Sequence, residues 1–210
     1  MCLFQIAILI LCFNIIQAKS STTNDPTAFL AYHDRKLDSV LGDGNCMFRS
    51  LAKQLSGDSD KHGQLRNKLC EFISLNGELL KGWLTDGIIL EEHSRSICKP
   101  NIFGTQLELK AASTMFDIDI YVATNSLLHN GHYVWTKISP INPISSYIFN
   151  DREWAGQFNS EKKCWLEICH QNGCHYDSIR PMLLGNRVSI VPPPLKQEES
   201  ALIPLNLLTD

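Results

Sequence analysis

A chain of 210 residues that is 44% hydrophobic and 20% charged carries enough apolar material for one globular core, and one domain is the default reading. Its formal net charge of -3, with no run of lysine and arginine, gives no footprint for a phosphate backbone and argues against nucleic acid as a partner.

Met1 to Ala18 is almost wholly apolar, broken only by Gln5, Asn14 and Gln17, before the chain turns polar at Lys19. The stretch reads as a secretory signal ending at Ala18 or as a membrane anchor, set against an incidental extension. No Lys or Arg precedes it, and Ile16 stands where a small residue is preferred. Membrane association therefore rests on residues 1–18 alone. A polar segment over 19–35 leads to a domain expected over 36–184, and a proline-containing tail covers 185–210. Within the approach, Ala28 to Val40 mixes apolar and charged residues and reads as structural at most.

Gly42, Asp43, Gly44 and Asn45 make a polar, glycine-bearing turn, and Met47, Phe48, Leu51 and Leu55 follow at near-helical spacing. That pattern puts Cys46 in the first turn of a helix. Its macrodipole and unpaired amides favour thiolate, which lowers a cysteine pKa. Backbone N–H groups of Asp43, Gly44, Asn45 and Cys46 could receive the oxyanion of an acyl intermediate. Read locally, a small buried hydrophobe is the competing account of Cys46.

After a loop at Gly57-Asp58-Ser59-Asp60, Leu65, Leu69, Phe72 and Ile73 recur at spacings of three and four, the stripe of a core-facing helix. Arg66 and Lys68 fall off that stripe and are expected to point elsewhere. Gly77 to Pro100 reads as helical turns with a loop. His93, after Glu91 and Glu92, is expected as a solvated surface residue without a role.

Thr105-Gln106-Leu107-Glu108 is a capping box that starts a buried helix through Leu107, Ala111 and Met115. Apolar residues at Ile118, Ile120 and Val122 then predict a strand with one face on the core. Tyr133 to Trp135 and Tyr147 to Phe149 read as two more strands, with a proline turn between. Trp165 to Cys169 and Cys174 to Ile179 flank a hairpin turn at Gln171-Asn172-Gly173. On an extended segment, residues two apart share a face, which makes His175 and Asp177 neighbours. A carboxylate there can hold the imidazole tautomer whose other nitrogen faces a thiol.

Beyond the leader stand Cys46, Cys70, Cys98, Cys164, Cys169 and Cys174. With Cys46 free, five are left, an odd number that makes no disulfide framework and predicts reduced thiols. Cys164, Cys169, Cys174 and His170 crowd together without a Cys-x-x-Cys pair, and no metal site is expected. The tail begins at Pro192-Pro193-Pro194, an extended exit whose later leucines could dock back or bind a partner.

Two boxes, Asp43 to Arg49 and His175 to Ile179, stand either side of Phe103-Gly104-Thr105-Gln106-Leu107-Glu108-Leu109-Lys110-Ala111 and the strand Ile118 to Val122. Together, over Lys36 to Pro181, they resemble the OTU family of cysteine proteases, the ovarian-tumour-type deubiquitinases. Phe103 departs from the tryptophan usual there and puts packing beneath the site in doubt. The resemblance implies an α+β fold of α/β-sandwich type, a small mixed sheet flanked by helices, papain-like in the OTU manner. It implies a thiol hydrolase acting on isopeptide bonds between the ubiquitin C-terminal glycine and lysine. Cys46 would be the nucleophile and His175 its base, with Asp177 orienting the imidazole and Asp43 a second acidic candidate beside the nucleophile. No metal or organic cofactor is implied. The partner would be ubiquitin or polyubiquitin, the chain a monomer, and the location cytoplasmic, or the secretory pathway or a membrane if residues 1–18 act as a signal. Two alternatives stay open: a catalytically silent module that binds ubiquitin, and a secreted, disulfide-containing protein with a relic likeness.

Overall fold

The computed structural model describes residues 25–85, 87–125, 131–141, 154, 165–184, 187–188 and 191–195. Residues 1–18, the expected strand at Tyr147 to Phe149, Cys164 and the leucines of 202–208 lie outside them. Among the described residues no helix is long and apolar enough to cross a membrane.

Helix α1, Thr27–Tyr32, lies in the stretch expected as a polar lead-in. The left-handed Asp34, at φ 58°, then turns the chain into strand β1, Arg35–Asp38. Helix α2, Cys46–Ser56, ends at Gly57, whose φ of 75° no β-carbon-bearing residue adopts easily. A 3-10 turn, Ser59–Lys61, leads into α3, His62–Leu75. The short α4, Gly77–Leu80, a second 3-10 turn, Lys81–Trp83, and α5, Leu90–Ile97, supply the helical turns expected before Pro100. Helix α6, Gln106–Phe116, starts on the predicted capping box: Glu108 Oε2 accepts from the Thr105 amide at 2.6 Å, and the threonine hydroxyl accepts from the Leu107 amide at 3.3 Å.

Strands β2, Asp119–Asn125, β3, Tyr133–Ile138, β4, Trp165–Gln171, and β5, His175–Pro181, complete one five-stranded sheet in the order β1-β5-β4-β2-β3. Only β2 and β4 run parallel; the other neighbours are antiparallel. A two-stranded ribbon, β6 Leu183–Leu184 with β7 Arg187–Val188, follows. The architecture is mixed α+β, one mixed sheet with helices, as the resemblance implies.

The main core lies between the helices and one face of the sheet, with Phe48, Leu51 and Leu55 of α2 against Leu65 and Leu69 of α3, Leu107 of α6, and Ile120, Val122 and Ile168 of the sheet. Each large side chain fully buried there contributes about 1.5–3 kcal/mol. The opposite face is also covered: Leu30 and Phe29 of α1 lie over Tyr121, Tyr133 and Trp135. Strand β2 is therefore buried on both faces, where the alternating pattern predicts one. It is an interior strand, and α1 roofs the side that its polar lead-in gave no reason to cover.

Ser50 and Gln54 fix α2 on strands β4 and β5. Ser50 Oγ donates to the Tyr176 carbonyl of β5 at 3.2 Å. Gln54 grips Glu167 of β4 on both sides: Oε1 accepts from its amide at 2.9 Å, while Nε2 donates to its carbonyl and to Ser178 Oγ at 3.1 Å. The helix that opens with Cys46 is thus locked to the strand that opens with His175.

One expectation fails in the helical layer. Cys70 of α3 and Cys98, just past α5, form a disulfide with Cα atoms 5.7 Å apart, where the cysteine count predicts reduced thiols. The odd number does not prevent one pair from forming once α5 packs on α3. Cys46 and Cys169 are free and buried, and Cys174 is free and exposed.

Candidate active site

Cys46 is the first residue of α2, with Asn45 as its cap, and only 1% of it is exposed. The Tyr176 amide of β5 donates to Sγ at 3.4 Å, joining two residues 130 positions apart. The expectation of a lowered thiol pKa is not met: burial pushes the Cys46 thiol up, with the charge of Asp43 adding to the rise. The amides of Tyr176, Met47 and Cys46 oppose it, as a helix N-terminus should, but desolvation of a closed site is the larger effect.

The hairpin before β5 turns through Asn172 at φ 52° and Gly173 at φ 68°, both left-handed, and is closed by the Cys174 amide donating to the Gln171 carbonyl at 3.1 Å. His175 stands at the first position of β5, opposite Gln171 of β4. Its Nε2 meets Asp177 Oδ1 at 3.2 Å, as the spacing of two predicts. Asp177 is itself 4% exposed and held from two further directions. The Val40 amide donates to Oδ1 at 2.8 Å, and Gln171 Nε2 donates to Oδ2 at 2.7 Å. The other edge of the imidazole faces the nucleophile loop, where a β-carbon on Gly42 would come within 3.3 Å of Nδ1.

Asp43 has different partners. Its Oδ2 pairs with Arg49 Nη2 at 2.7 Å, and its Oδ1 accepts from the Asn45 amide at 3.0 Å. The Arg49 guanidinium holds this carboxyl far below the usual carboxylate range. Asp43 therefore braces the turn, and the Asn45 amide, one of the four expected oxyanion donors, is already engaged by it.

Gly44, at φ 80°, packs its α-carbon directly on the Asn101 carbonyl, leaving no space for a side chain. Arg66 lies behind this contact. Contrary to the expectation that it points elsewhere, it is buried, with Nη1 donating to Ile97 O at 2.7 Å and Nη2 to Asn45 Oδ1 at 2.7 Å, Ile102 O at 2.8 Å and Gly44 O at 3.3 Å. Its guanidinium carbon sits 3.8 Å from the centre of the Phe48 ring. These partners are 21 to 36 residues away, so helical periodicity could not announce them.

His93 is likewise no solvated surface residue: its Nε2 lies 2.7 Å from Oε1 of the fully buried Glu108. That carboxylate raises the His93 pKa against the opposing effect of burial. Phe103, the departure from the family pattern, is 58% exposed and packs nothing beneath the site. Gly104 fills that place, its α-carbon against Met47 Sδ and Phe48 Cε2.

A model of the family described as OTU-like cysteine protease matches residues 41–154. That is just over half of the 210 residues, taking in the Cys46 turn and ending short of His175. Over 145 residues the chain is 26% identical to "OVARIAN TUMOR DOMAIN-containing deubiquitinating enzyme 7" of Arabidopsis thaliana, covering 69% of this chain and 32% of that protein. It is 38% identical over 145 residues to "OTU domain-containing protein 3" of Mus musculus, covering 69% of this chain and 31% of that protein. The chain thus spans about a third of the length of these curated relatives. Its fold is similar to that of an OTU deubiquitinase from Wolbachia pipientis solved bound to ubiquitin, with a TM-score of 0.52 and 15% identity over 71% of this chain and 97% of that one. The matched span supplies the cysteine turn, and the sheet returns the histidine strand to it from beyond the span's end; the chain belongs to the OTU-like cysteine protease family.

Proposed function

We propose that the chain is a cysteine-dependent deubiquitinase that hydrolyses the isopeptide bond between the ubiquitin C-terminal glycine and a lysine. The observation that carries this reading is the convergence of Cys46 with the His175–Asp177 pair, through the Tyr176 amide that reaches Sγ from the residue after the histidine. Asp177 on Nε2 leaves Nδ1 of His175 as the nitrogen that takes the thiol proton. The thiolate sulfur adds to the carbonyl carbon, and the oxyanion forms beside the Asp43 to Cys46 turn. The C–N bond then breaks as imidazolium returns its proton to the leaving lysine amine. Water, deprotonated by the same imidazole, cleaves the thioester and restores Cys46. In this reading Asp177 orients the base and Asp43 shapes the turn.

A panel of di-ubiquitin linkages incubated with the wild-type chain and with Cys46→Ala tests the proposal. Cleavage by the first and none by the second is expected; an inert wild-type chain overturns it. The sealed, up-shifted thiol of Cys46 favours one second reading, a silent module that binds ubiquitin. A ubiquitin-propargylamide probe separates the two, because only a reactive thiol forms an adduct. The proposed substrate places the working form in the cytoplasm. Expressing the full chain with a C-terminal tag checks this, and a processed, secreted product overturns it.

A further inference from the structure

Arg66 belongs to α3 rather than to the nucleophile helix, yet three of the four oxygens it holds belong to the Cys46 turn or to the segment packed on that turn. Nη2 reaches the Gly44 carbonyl at 3.3 Å, Asn45 Oδ1 at 2.7 Å and the Ile102 carbonyl at 2.8 Å, while Nη1 takes the Ile97 carbonyl at 2.7 Å. Every acceptor is a neutral oxygen, and the side chain is 2% exposed. Burial disfavours the cation, the charges of Glu108 and Asp43 partly offset that cost, and the direct bonds are all placed at one loop junction.

The junction matters because of what each bond orients. The Gly44 carbonyl and the Asn45 amide belong to one rigid peptide unit, so fixing the carbonyl on Arg66 also aims the N–H, which lands on Asp43 Oδ1 at 3.0 Å. Asn45 Oδ1, shared by Arg66 and the Asn101 amide at 3.0 Å, and Asn45 Nδ2, which donates to Asn101 Oδ1 at 2.7 Å, fix the residue just before Cys46. The next amide in the chain is that of Cys46 itself. The guanidinium spans acceptors on two sides from a planar fork, which a lysine ammonium, one point of charge, does not reproduce.

We propose that Arg66 is a positioning residue for acyl transfer: by holding the Gly44 carbonyl and the Asn45 side chain, it sets the direction of the Cys46 amide offered to the oxyanion. This rests on the deubiquitinase reading given above. Displacing a positioned group by about 1 Å costs on the order of a hundredfold in rate, with little effect on substrate affinity.

The test compares the full wild-type chain with Arg66→Lys and Asn101→Gly. It measures kcat and KM on a fluorogenic ubiquitin substrate, the rate of labelling by ubiquitin-propargylamide, and the melting temperature. Labelling adds the Cys46 S–H across an alkyne, with carbon–sulfur bond formation and the proton ending on carbon. It therefore needs the thiol and the ubiquitin surface but passes through no oxyanion. For Arg66→Lys, kcat should fall about 10- to 100-fold, with KM and the labelling rate each within about threefold of wild type. Asn101→Gly keeps the left-handed backbone at φ 63° and removes only the partner of Asn45 Nδ2. It should lower kcat less, again at constant KM, and it decides the matter if Arg66→Lys does not fold. Wild-type kcat in a folded Arg66→Lys overturns the proposal, as does a labelling rate that falls in step with kcat, or an unchanged kcat in Asn101→Gly when Arg66→Lys is unfolded. All three leave the deubiquitinase reading standing, whereas a wild-type chain that neither cleaves nor labels overturns both.

Discussion

Asp43 closes on Arg49, Oδ2 to Nη2 at 2.7 Å, and the acceptor place at His175 Nε2 belongs instead to Asp177 Oδ1 at 3.2 Å. The two acids should separate on substitution. Asp177→Ala removes the orienting acceptor and is expected to lower kcat by about 10²- to 10⁴-fold, the scale of a general base. Asp177→Asn keeps one oxygen for Val40 and His175 and should lose less, because Gln171 can turn its amide to meet the new NH₂. Asp43→Asn should keep most activity, and Asp43→Ala should lose at most about 2.7–4 kcal/mol of transition-state stabilisation, the scale of one oxyanion donor. Four variants on one fluorogenic ubiquitin substrate give the order. A harmless Asp177→Ala beside a dead Asp43→Asn transfers the orienting role to Asp43.

The up-shifted thiol of Cys46 has a pH signature. An ordinary cysteine thiol ionises near pH 8.5, so its alkylation rate levels off soon above that value. The rate at Cys46 in the free chain, followed by peptide mass spectrometry with iodoacetamide, should still be climbing there. A plateau near neutrality would mean that the helix amides outweigh burial.

His93 and Glu108 tie stability to pH. Glu108 raises the folded-state pKa of His93 above its ordinary value of about 6.5. The native state then binds the proton more tightly than the unfolded chain does, so the stabilisation is fully present below about pH 6.5 and is lost as pH rises through the folded value. The melting temperature of wild type should exceed that of His93→Gln by more at about pH 6 than at about pH 9. An equal gap at both would show that the contact acts through packing alone.

The Cys70–Cys98 bridge closes a segment with a sequence separation of 28 residues, and a loop of that size is worth on the order of 3 kcal/mol. Urea unfolding should shift to a lower midpoint when wild type is reduced. Cys98→Ser should start at the lower midpoint and ignore the reductant. A wild-type midpoint that ignores reductant would mean that the bridge is not formed in solution.

Much of the site was legible because its signals are local. Glycine turn and apolar spacing placed Cys46 at a helix start, period two placed Asp177 beside His175, and Thr105 with Glu108 announced α6. What could not be read depends on distant partners. Strand β1 is Arg-Lys-Leu-Asp, a charged run that becomes a strand because β5 offers it an edge and Glu167 takes Arg35 at 2.8 Å. Arg66 and His93 carry the polarity of surface residues, and only the tertiary fold brings them their buried acceptors. Gln171 read as part of a turn; its bond to Asp177 follows from the cross-strand register with His175. The pairing of Cys70 with Cys98 needs α5 laid across α3, which no count of cysteines contains.

The bond from the Tyr176 amide to Cys46 Sγ spans 130 residues and has a consequence for the order of events during synthesis. The sulfur leaves the ribosome early; His175 and the rest of β5 are among the later parts of the domain to emerge and must be inserted between β1 and β4. Until β5 docks, the nascent chain carries a cysteine with no imidazole beside it. On the proposed reading, hydrolysis waits on the docking of β5.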